Sequence, residues 1–253
     1  MAVSAPALSS PAGGRAEACP LTSLVSVLQL SDSAFPSGRY TLSYGVETLV
    51  QSGHLTAPSQ GSTLLALLGD SIRFGVAPSD GLALACTHRA VDPDGGADLE
   101  LVTEVDERLT AVKLPREARE ASTRTGRAVL ATATAAIGGD ALRDYAGRVR
   151  HGRSPGNHAV VIGLLSAHLG VARLEAVVGE LYAFSSGWVA AAVRLGLAEH
   201  RTAQGLLHRL RPVIVDAARS VVDRDIKRIS SSTPLPDVMS MRHEQAELRL
   251  FAS

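Results

Sequence analysis

The chain has 253 residues, of which 45% are apolar, and this is enough for one large domain with a sizeable core. Equal numbers of acidic and basic side chains, 25 of each, give a formal net charge of zero, which excludes the strongly basic composition typical of nucleic-acid-binding proteins. The cysteines, Cys19 and Cys86, are far apart and outside any CxxC pair, so we expect a reduced, cytoplasmic protein without a disulfide framework or a structural zinc site.

The chain begins with a segment unlike the rest. Residues 1–19 are rich in Pro, Gly, Ser and Ala and have no charged leader before an apolar core, which predicts a flexible extension rather than a signal peptide. The longest apolar stretch, HAVVIGLLSAHLGVA, contains His158 and His168 and is shorter than the ~20 residues that a membrane span needs. We therefore expect no transmembrane segment.

From Pro20 onward, apolar residues recur at three- and four-residue spacings, as on one face of a helix. The predicted helical stretches are 21–30, 41–53, 59–76, 97–114, 115–137, 157–171, 173–197 and 202–222. Aromatic residues make up only 4% of the chain and alanine is abundant, which favours an aliphatic core with closely packed helices. The pattern predicts a single all-α, helical-bundle-like domain of about ten helices over residues 20–229.

Two breaks interrupt this pattern without a change in composition. VDPDGGAD is a clear loop, and HGRSPGN is a second one. The second break and the residues before it supply four basic side chains, Arg148, Arg150, His151 and Arg153. These residues could hold an anion at the start of the next helix, but a solvated loop is the favoured interpretation because charged side chains usually stay exposed.

The segment SDSAFPSGRYTLSYGVE stands out near the start. Asp32, Ser33, Pro36, Ser37 and Gly38 predict a rigid turn, and polar and aromatic residues follow it into the next helix. So many hydrogen-bonding groups beside a constrained turn are typical of a contact surface. A tightly capped helix hairpin, with its tyrosine hydroxyls satisfied locally, explains the same pattern equally well.

The tail, residues 230–253, reads SSSTPLPDVMSMRHEQAELRLFAS and is a unit of its own. Pro234 and Pro236 end the preceding helix, and Asp237 is the predicted N-cap of a short amphipathic one. The apolar stripe of that helix is Val238, Met241, Ala246 and Leu248. We expect this apolar stripe to pack against another surface, either that of the chain's own domain or that of a partner that orders the tail.

Signatures of catalysis are missing from the sequence. The only lysines, Lys113 and Lys227, do not follow glycine, so no G-K-[ST] phosphate-binding loop exists. The eight histidines form no H-E-x-x-H, and no serine lies in a G-x-S-x-G elbow. We predict no catalytic, cofactor-binding or metal-ligating residue. The alternative is an all-α enzyme that acts on a small metabolite in a groove near Trp188 and Arg194, which a buried ionisable cluster would favour.

Two segments together carry a resemblance to a known family. LQLSDSAFPSGRYTLSYGVE near the start and PLPDVMSMRHEQAELRLFAS at the end look like the two hallmark stretches of the urease accessory protein UreF family. The middle of the chain, with REARE, TGRAVL and SGWVAAAVRLGLAEHRTAQGLLHRL in family order, is similar as well. The likeness spans about residues 20 to 253.

The resemblance implies an all-α scaffold without catalysis of its own, which works in nickel delivery to urease. It also favours a tail that is ordered by a partner over a tail that packs permanently on the chain's own domain. Members of the family form homodimers and bind the accessory protein UreD, also called UreH, and the pair recruits the GTPase UreG. The resemblance leaves open whether hydrolysis by that GTPase is raised or restrained. A GTPase-activating role in the strict sense would need an arginine finger that reaches the partner's nucleotide.

The family pattern also implies which residues contact partners. In the first segment they are Pro36, Gly38, Tyr40, Ser43, Gly45 and Glu47, and in the tail Pro234, Asp237, His243, Glu244, Arg249, Leu250, Phe251 and Ser253. Tyr40 and Arg249 are the expected anchors for the GTPase, since aromatic residues and arginine often dominate interfaces. The chain departs from the pattern at Arg39, where many relatives have glycine, and at Gly196–Glu199, which reads G-L-A-E instead of P-L-G-Q.

Overall fold

The computed structural model describes residues 20–32, 35–36, 38–39, 42–234, 237–238 and 241. Within these residues the chain forms ten α-helices, one π-helix and one short 3-10 helix, with no strand beyond an isolated bridge between Val91 and Ala97. The helices are α1 (Pro20–Ser31), α2 (Val46–Gln51), α3 (Gly61–Asp70), the π-helix (Ser71–Gly81), α4 (Leu82–Arg89), α5 (Leu99–Val112), α6 (Arg116–Ala136), α7 (Asp140–Arg150), α8 (His158–His168), α9 (Arg173–Arg194), α10 (His200–Val221) and the 3-10 helix (Ile226–Arg228). The all-α prediction is confirmed.

Helix α8 lies at the centre of the fold. Each residue from His158 to Ala167 is buried, as expected for a helix that is apolar on all sides. Helices α4, α6 and α9 pack around it. Glycines allow the closest approaches: a Cβ on Gly163 would lie 2.7 Å from the carbonyl oxygen of Leu84, and a Cβ on Gly126 only 2.1 Å from that of Gly156. At these two glycines, the backbone of one segment therefore lies almost in contact with the backbone of its neighbour in the core.

Helix α9 is the one described helix with the length and hydropathy to cross a membrane. However, 61% of its most apolar window is buried inside the domain, which is the position of a core helix. Trp188 lies on this helix and is only 2% exposed, so it fills the core. Cys86 on α4 is also buried and forms no disulfide.

The structure departs from the predicted helix boundaries at three places. The helix predicted from residue 41 begins only at Val46, because Tyr44 and Gly45 have φ angles of 52° and 78°, which no α-helix accepts. The stretch predicted to end at Val76, just before Pro78, instead continues through the proline as the π-helix and runs into α4, which was not predicted either. Helix α7 was not predicted, since it is rich in charged residues and has few apolar ones.

The loop HGRSPGN does hold an anion, and that anion is the chain's own Asp106. The carboxylate of Asp106 is fully buried and accepts hydrogen bonds from the hydroxyls of Tyr145 and Ser154, at 2.6 and 2.7 Å. The backbone N–H groups of Gly156 and Asn157, at 2.7 and 3.0 Å, also donate to it. Burial and this charge raise the pKa of Tyr145 well above its ordinary value. Arg150, His151 and Arg153 are exposed, as the favoured interpretation expected, and the groups that hold the buried carboxylate and tie α5 to the start of α8 are hydroxyls and backbone N–H groups.

Candidate functional site

The first predicted contact segment and the start of the tail meet at one cavity of about 190 Å³. Helices α8 and α9 form its floor, and the π-helix and the start of α6 form its sides. The polar and aromatic side chains that line it are Arg39, Tyr44, Ser71, Ser79, Asp80, Lys113, Ser122, Thr125, His158, Glu180, Phe184, Ser231, Thr233 and Asp237. Two segments almost 200 residues apart in sequence thus share one site.

A buried ion pair anchors the first segment to the floor of this cavity. The guanidinium of Arg39 donates to the Oε2 atom of Glu180 at 2.9 Å and lies 3.0 Å from the Nε2 atom of His158. Burial alone would raise the pKa of Glu180, but the charges and hydrogen bonds of Arg39 and His158 outweigh it and lower that pKa from 4.5 to about 2. Glu180 therefore stays ionised inside the protein.

Tyr44 fixes the same segment against α9. Its ring stacks edge to face on Phe184 with a centroid distance of 5.0 Å, and a Cβ on Gly187 would come within 3.0 Å of it. Tyr44 has a positive φ, a strained conformation that persists because the surroundings hold it. Arg194 on α9 also donates to the carbonyl oxygen of Leu42 at 3.2 Å. The loop is therefore held at several points.

A second ion pair closes the opposite side of the cavity. The ammonium of Lys113 lies 2.7 and 2.9 Å from the two carboxylate oxygens of Asp80, and both side chains are only 14% exposed. The pair ties the end of α5 to the π-helix. Lys113 is one of the two lysines in the chain and is engaged in this structural contact.

The start of the tail is bound to the π-helix by its backbone. The N–H of Ser230 donates to the carbonyl of Pro78 at 3.1 Å, and the N–H of Ser232 donates to that of Phe74 at 2.8 Å. Thr233 then packs so tightly on Gly75 that a Cβ there would lie 2.9 Å away. We call residues 230–233 the strap.

The strap leads into a helical turn. Asp237 donates its N–H to the carbonyl of Thr233 at 2.8 Å, so Asp237 lies inside the first turn and is not the predicted N-cap. Thr233 takes the cap position instead, with Pro234 as the first helical residue, a position that suits proline. Burial raises the pKa of Asp237 above its ordinary value although Thr233 donates a hydrogen bond to it.

The predicted contact residues fall into three groups. Pro36, Gly38 and Pro234 are exposed, and Asp237 is half-buried at the cavity. Ser43, Gly45 and Glu47 are buried within the domain. The remaining predicted residues lie outside the described part of the chain: Tyr40, His243, Glu244, Arg249, Leu250, Phe251 and Ser253.

Sequence reasoning missed the ionisable residues at the cavity. Glu180 gave the clearest signal, because it is a carboxylate within the apolar pattern of α9. Arg39 was noticed only as a departure from the family pattern, and the structure shows that its side chain reaches 141 residues along the chain to Glu180. The groove proposed near Trp188 and Arg194 does not coincide with this cavity, since neither residue lines it.

The chemistry of the site is that of paired and hydrogen-bonded groups rather than of a metal centre. No group of three or more His, Cys, Asp or Glu side chains that could hold a metal ion is found among the described residues. Fold and site together define an all-helical protein in which a loop near the start and the first residues of the tail meet at one cavity.

Comparisons with known proteins identify the family. The UreF family model matches residues 59–211. The urease accessory protein UreF of Trichodesmium erythraeum (strain IMS101) is 30% identical over 229 residues, which is 90% of this chain and 96% of that protein. The protein of the same name from Yersinia pseudotuberculosis serotype IB (strain PB1/+) is 28% identical over 232 residues, 91% of this chain and 98% of that protein. The chain belongs to the UreF family.

Proposed function

We propose that the chain is a non-catalytic scaffold in urease maturation. It binds a UreD/UreH-type accessory protein and recruits or regulates a UreG-type GTPase in the cytoplasm, so that nickel, as cargo, reaches the urease apoprotein. Family membership and the printed names of the relatives support the accessory role. The observation that carries the proposal furthest is that the two predicted partner-contact segments converge on one cavity.

The contacts at the cavity suggest how one partner influences contact with another. The strap is held by two backbone hydrogen bonds and one methyl contact, so a partner that pulls on the tail can displace it at moderate cost. Displacement would uncover the side of the cavity that faces Arg39 and Tyr44. In this proposal the buried residues Ser43 and Glu47 position the first loop, while exposed Pro36 and Gly38 contact the partner.

The positions of the two lysines are consistent with GTP hydrolysis on a partner chain. Lys113 is bound to Asp80, and Lys227 lies in the 3-10 helix, so neither belongs to a phosphate-binding loop. Nucleotide hydrolysis would therefore take place on the partner chain.

The exposed face of α1 supports the homodimer in this proposal. Its large apolar side chains are exposed by 52 to 70%: Leu21, Leu24, Val25 and Leu28. The side of α1 that packs on the domain carries Ser23 and Ser26 together with the partly buried Val27 and Leu30, and the helix has no charged residue. An uncharged aliphatic stripe is self-complementary across a two-fold axis. We expect Leu24→Asp with Leu28→Asp to halve the mass measured by light scattering, and an unchanged mass would contradict this interface.

The enzyme alternative gains one observation, because Arg39, Glu180 and His158 form a buried ionisable cluster beside a cavity. A general acid or base must exchange a proton near the operating pH. Glu180 has a pKa of about 2 and Arg39 a pKa raised above its already high ordinary value, so neither does so near neutrality. Glu180 and Arg39 are better suited to holding the loop than to proton transfer.

The scaffold proposal is tested by size-exclusion chromatography with light scattering. The chain is run alone and mixed with UreD and UreG, both intact and truncated after Thr233, which keeps the strap and removes the rest of the tail. We expect the intact chain to enter a complex and the truncated chain to fail. If the two behave alike, the tail has no part in assembly; if neither associates with anything, the scaffold function is wrong.

Arg249→Ala tests the expected anchor for the GTPase. We expect weaker recruitment of UreG with unchanged thermal unfolding, because a charge near the terminus contributes little to the core. Arg242→Ala, in the same tail but outside the predicted set, is the matched control. Equal recruitment of UreG by both variants and the unmodified chain would refute the role of Arg249, and GTP hydrolysis in the same mixtures shows whether it is raised or restrained.

A further inference from the structure

The outer face of α10 concentrates positive charge that has no ionic partner among the described residues. Its sequence carries four arginines, Arg201, Arg209, Arg211 and Arg219, and a single carboxylate, Asp216. All five side chains are exposed. Arginines elsewhere do form ion pairs with neighbouring carboxylates, but no such contact involves the four on α10. Since the whole chain has zero net charge, this excess is local.

A shallow groove on this face has an apolar floor. His208, Arg211, Pro212, Val215 and Arg219 share one side of the helix by their spacing, and all five line the groove. Pro212 is exposed and Val215 is half-buried, so an apolar strip about one turn long lies between basic side chains. An apolar centre with a charged rim is the usual anatomy of a protein–protein interface.

Arg211 at the rim of the groove is held in place before any partner binds. Pro212 has no N–H to bond to the carbonyl of His208, four residues earlier. The Nε–H of Arg211 donates to that carbonyl at 3.2 Å, and its Nη2 lies 2.6 Å from the Nδ1 atom of His208. A side chain that is already ordered loses less entropy on binding.

We propose that this face of α10 binds an acidic surface of a protein partner. An apolar side chain of the partner rests on Pro212 and Val215, and its carboxylates pair with Arg211 and Arg219 at the rim. The apolar floor favours protein over nucleic acid, because a phosphate backbone would leave the apolar strip uncovered. The surface shares no residue with the cavity, so the inference does not depend on the proposed function.

The test uses fluorescence anisotropy of a labelled glutamate-rich peptide with two central leucines, titrated with the full chain at low salt. Arg211→Glu with Arg219→Glu should weaken binding by roughly tenfold or more. Arg150→Glu with Arg153→Glu, which changes the net charge equally at exposed positions on α7 and the loop after it, should weaken it less than about twofold. Circular dichroism confirms that both double variants are folded.

Further probes separate this proposal from its competitors. A peptide without the leucines should bind several-fold more weakly, because the apolar floor is then uncovered. Equal losses in both double variants, or no measurable binding, would overturn the proposal. So would tighter binding of an oligothymidylate of equal charge than of the peptide, which would point to nucleic acid. If truncation after Thr233 is needed for the peptide to bind, the chain's own tail is the occupant and the proposal of a partner fails.

Discussion

Arg39→Met is the substitution with the largest expected effect at the cavity. It keeps the aliphatic stem of the side chain and removes the charge that compensates Glu180. The difference between the ordinary pKa of 4.5 and about 2 corresponds to about 3 kcal/mol in favour of the ionised carboxylate. Loss of the partner of a buried charge costs about 3–5 kcal/mol, so we expect the free energy of unfolding to fall by about that much at neutral pH.

Urea denaturation followed by circular dichroism measures this loss, and Arg108→Met is the matched control. Arg108 donates to Glu104 at the same 2.9 Å distance, but that pair is 41% and 50% exposed on the surface of α5. Exposed pairs contribute about 0.5 kcal/mol or less. Equal losses in the two variants would refute the inference that Arg39 compensates a buried charge.

A double variant gives a second test of the same pair. Glu180→Gln removes the charge that Arg39→Met leaves unpaired, so the two substitutions together should cost clearly less than the sum of their separate costs. Strict additivity would show that the two side chains are not energetically coupled.

The pair also predicts a pH dependence. The folded-state pKa of Glu180 lies below the unfolded value, so its stabilising contribution is complete above about pH 4.5 and is lost as the pH falls towards about 2. Unfolding experiments between pH 5 and 2 should show a loss of about 3 kcal/mol that is missing in Glu180→Gln. The same acid loss in both proteins would assign it to other carboxylates.

Three further substitutions test the contacts that build the site and the fold. Gly75→Ala places a Cβ 2.9 Å from the methyl group of Thr233 and should displace the strap, so the amide of Ser232 should exchange its hydrogen faster, whereas Gly205→Ala, at a site with nothing within 4 Å, should leave that exchange unchanged. Gly126→Ala places a Cβ 2.1 Å from a backbone carbonyl and should prevent folding or lower the melting temperature by more than ~10 °C, while Gly205→Ala, which meets nothing within 4 Å, should stabilise α10 by about 0.5–1 kcal/mol. Asp106→Asn replaces a carboxylate oxygen, which accepts hydrogen bonds, with an NH₂ group, which only donates them, among donors that need an acceptor. The free energy of unfolding measured by chemical denaturation should therefore fall by about 3 kcal/mol or more. Unchanged strap exchange, a normally stable Gly126→Ala or a neutral Asp106→Asn would each contradict the corresponding contact.

Helix positions could be predicted largely from sequence because the apolar spacing is strong. The stretches around α5, α6, α8, α9 and α10 were predicted to within a few residues, since their apolar residues recur regularly. Helix α7 was not predicted because only Ala141, Leu142 and Tyr145 are buried, and most of its other residues are charged or polar. The π-helix was not predicted because a proline such as Pro78 normally ends a helix. That the helix continues past Pro78 depends on its packing against elements distant in sequence.

The site could be predicted only in its parts. The motifs identified the first segment and the tail separately, but their meeting at one cavity depends on how α8, α9 and the π-helix pack. The partner of Arg39 is 141 residues away, and no local pattern indicates such a contact. Likewise, the anion of the HGRSPGN loop turned out to be Asp106 because backbone N–H groups, which a sequence does not display, converge on it.

The most direct test of the accessory role is reconstitution of urease activation. Urease apoprotein is incubated with nickel, bicarbonate, GTP, UreD and UreG, with or without this chain, and bound nickel and urea hydrolysis are measured together. The proposed function predicts that both readouts are low without the chain and rise when the intact chain is added, but not when it is truncated after Thr233. Full nickel loading and full activity without the chain would contradict it.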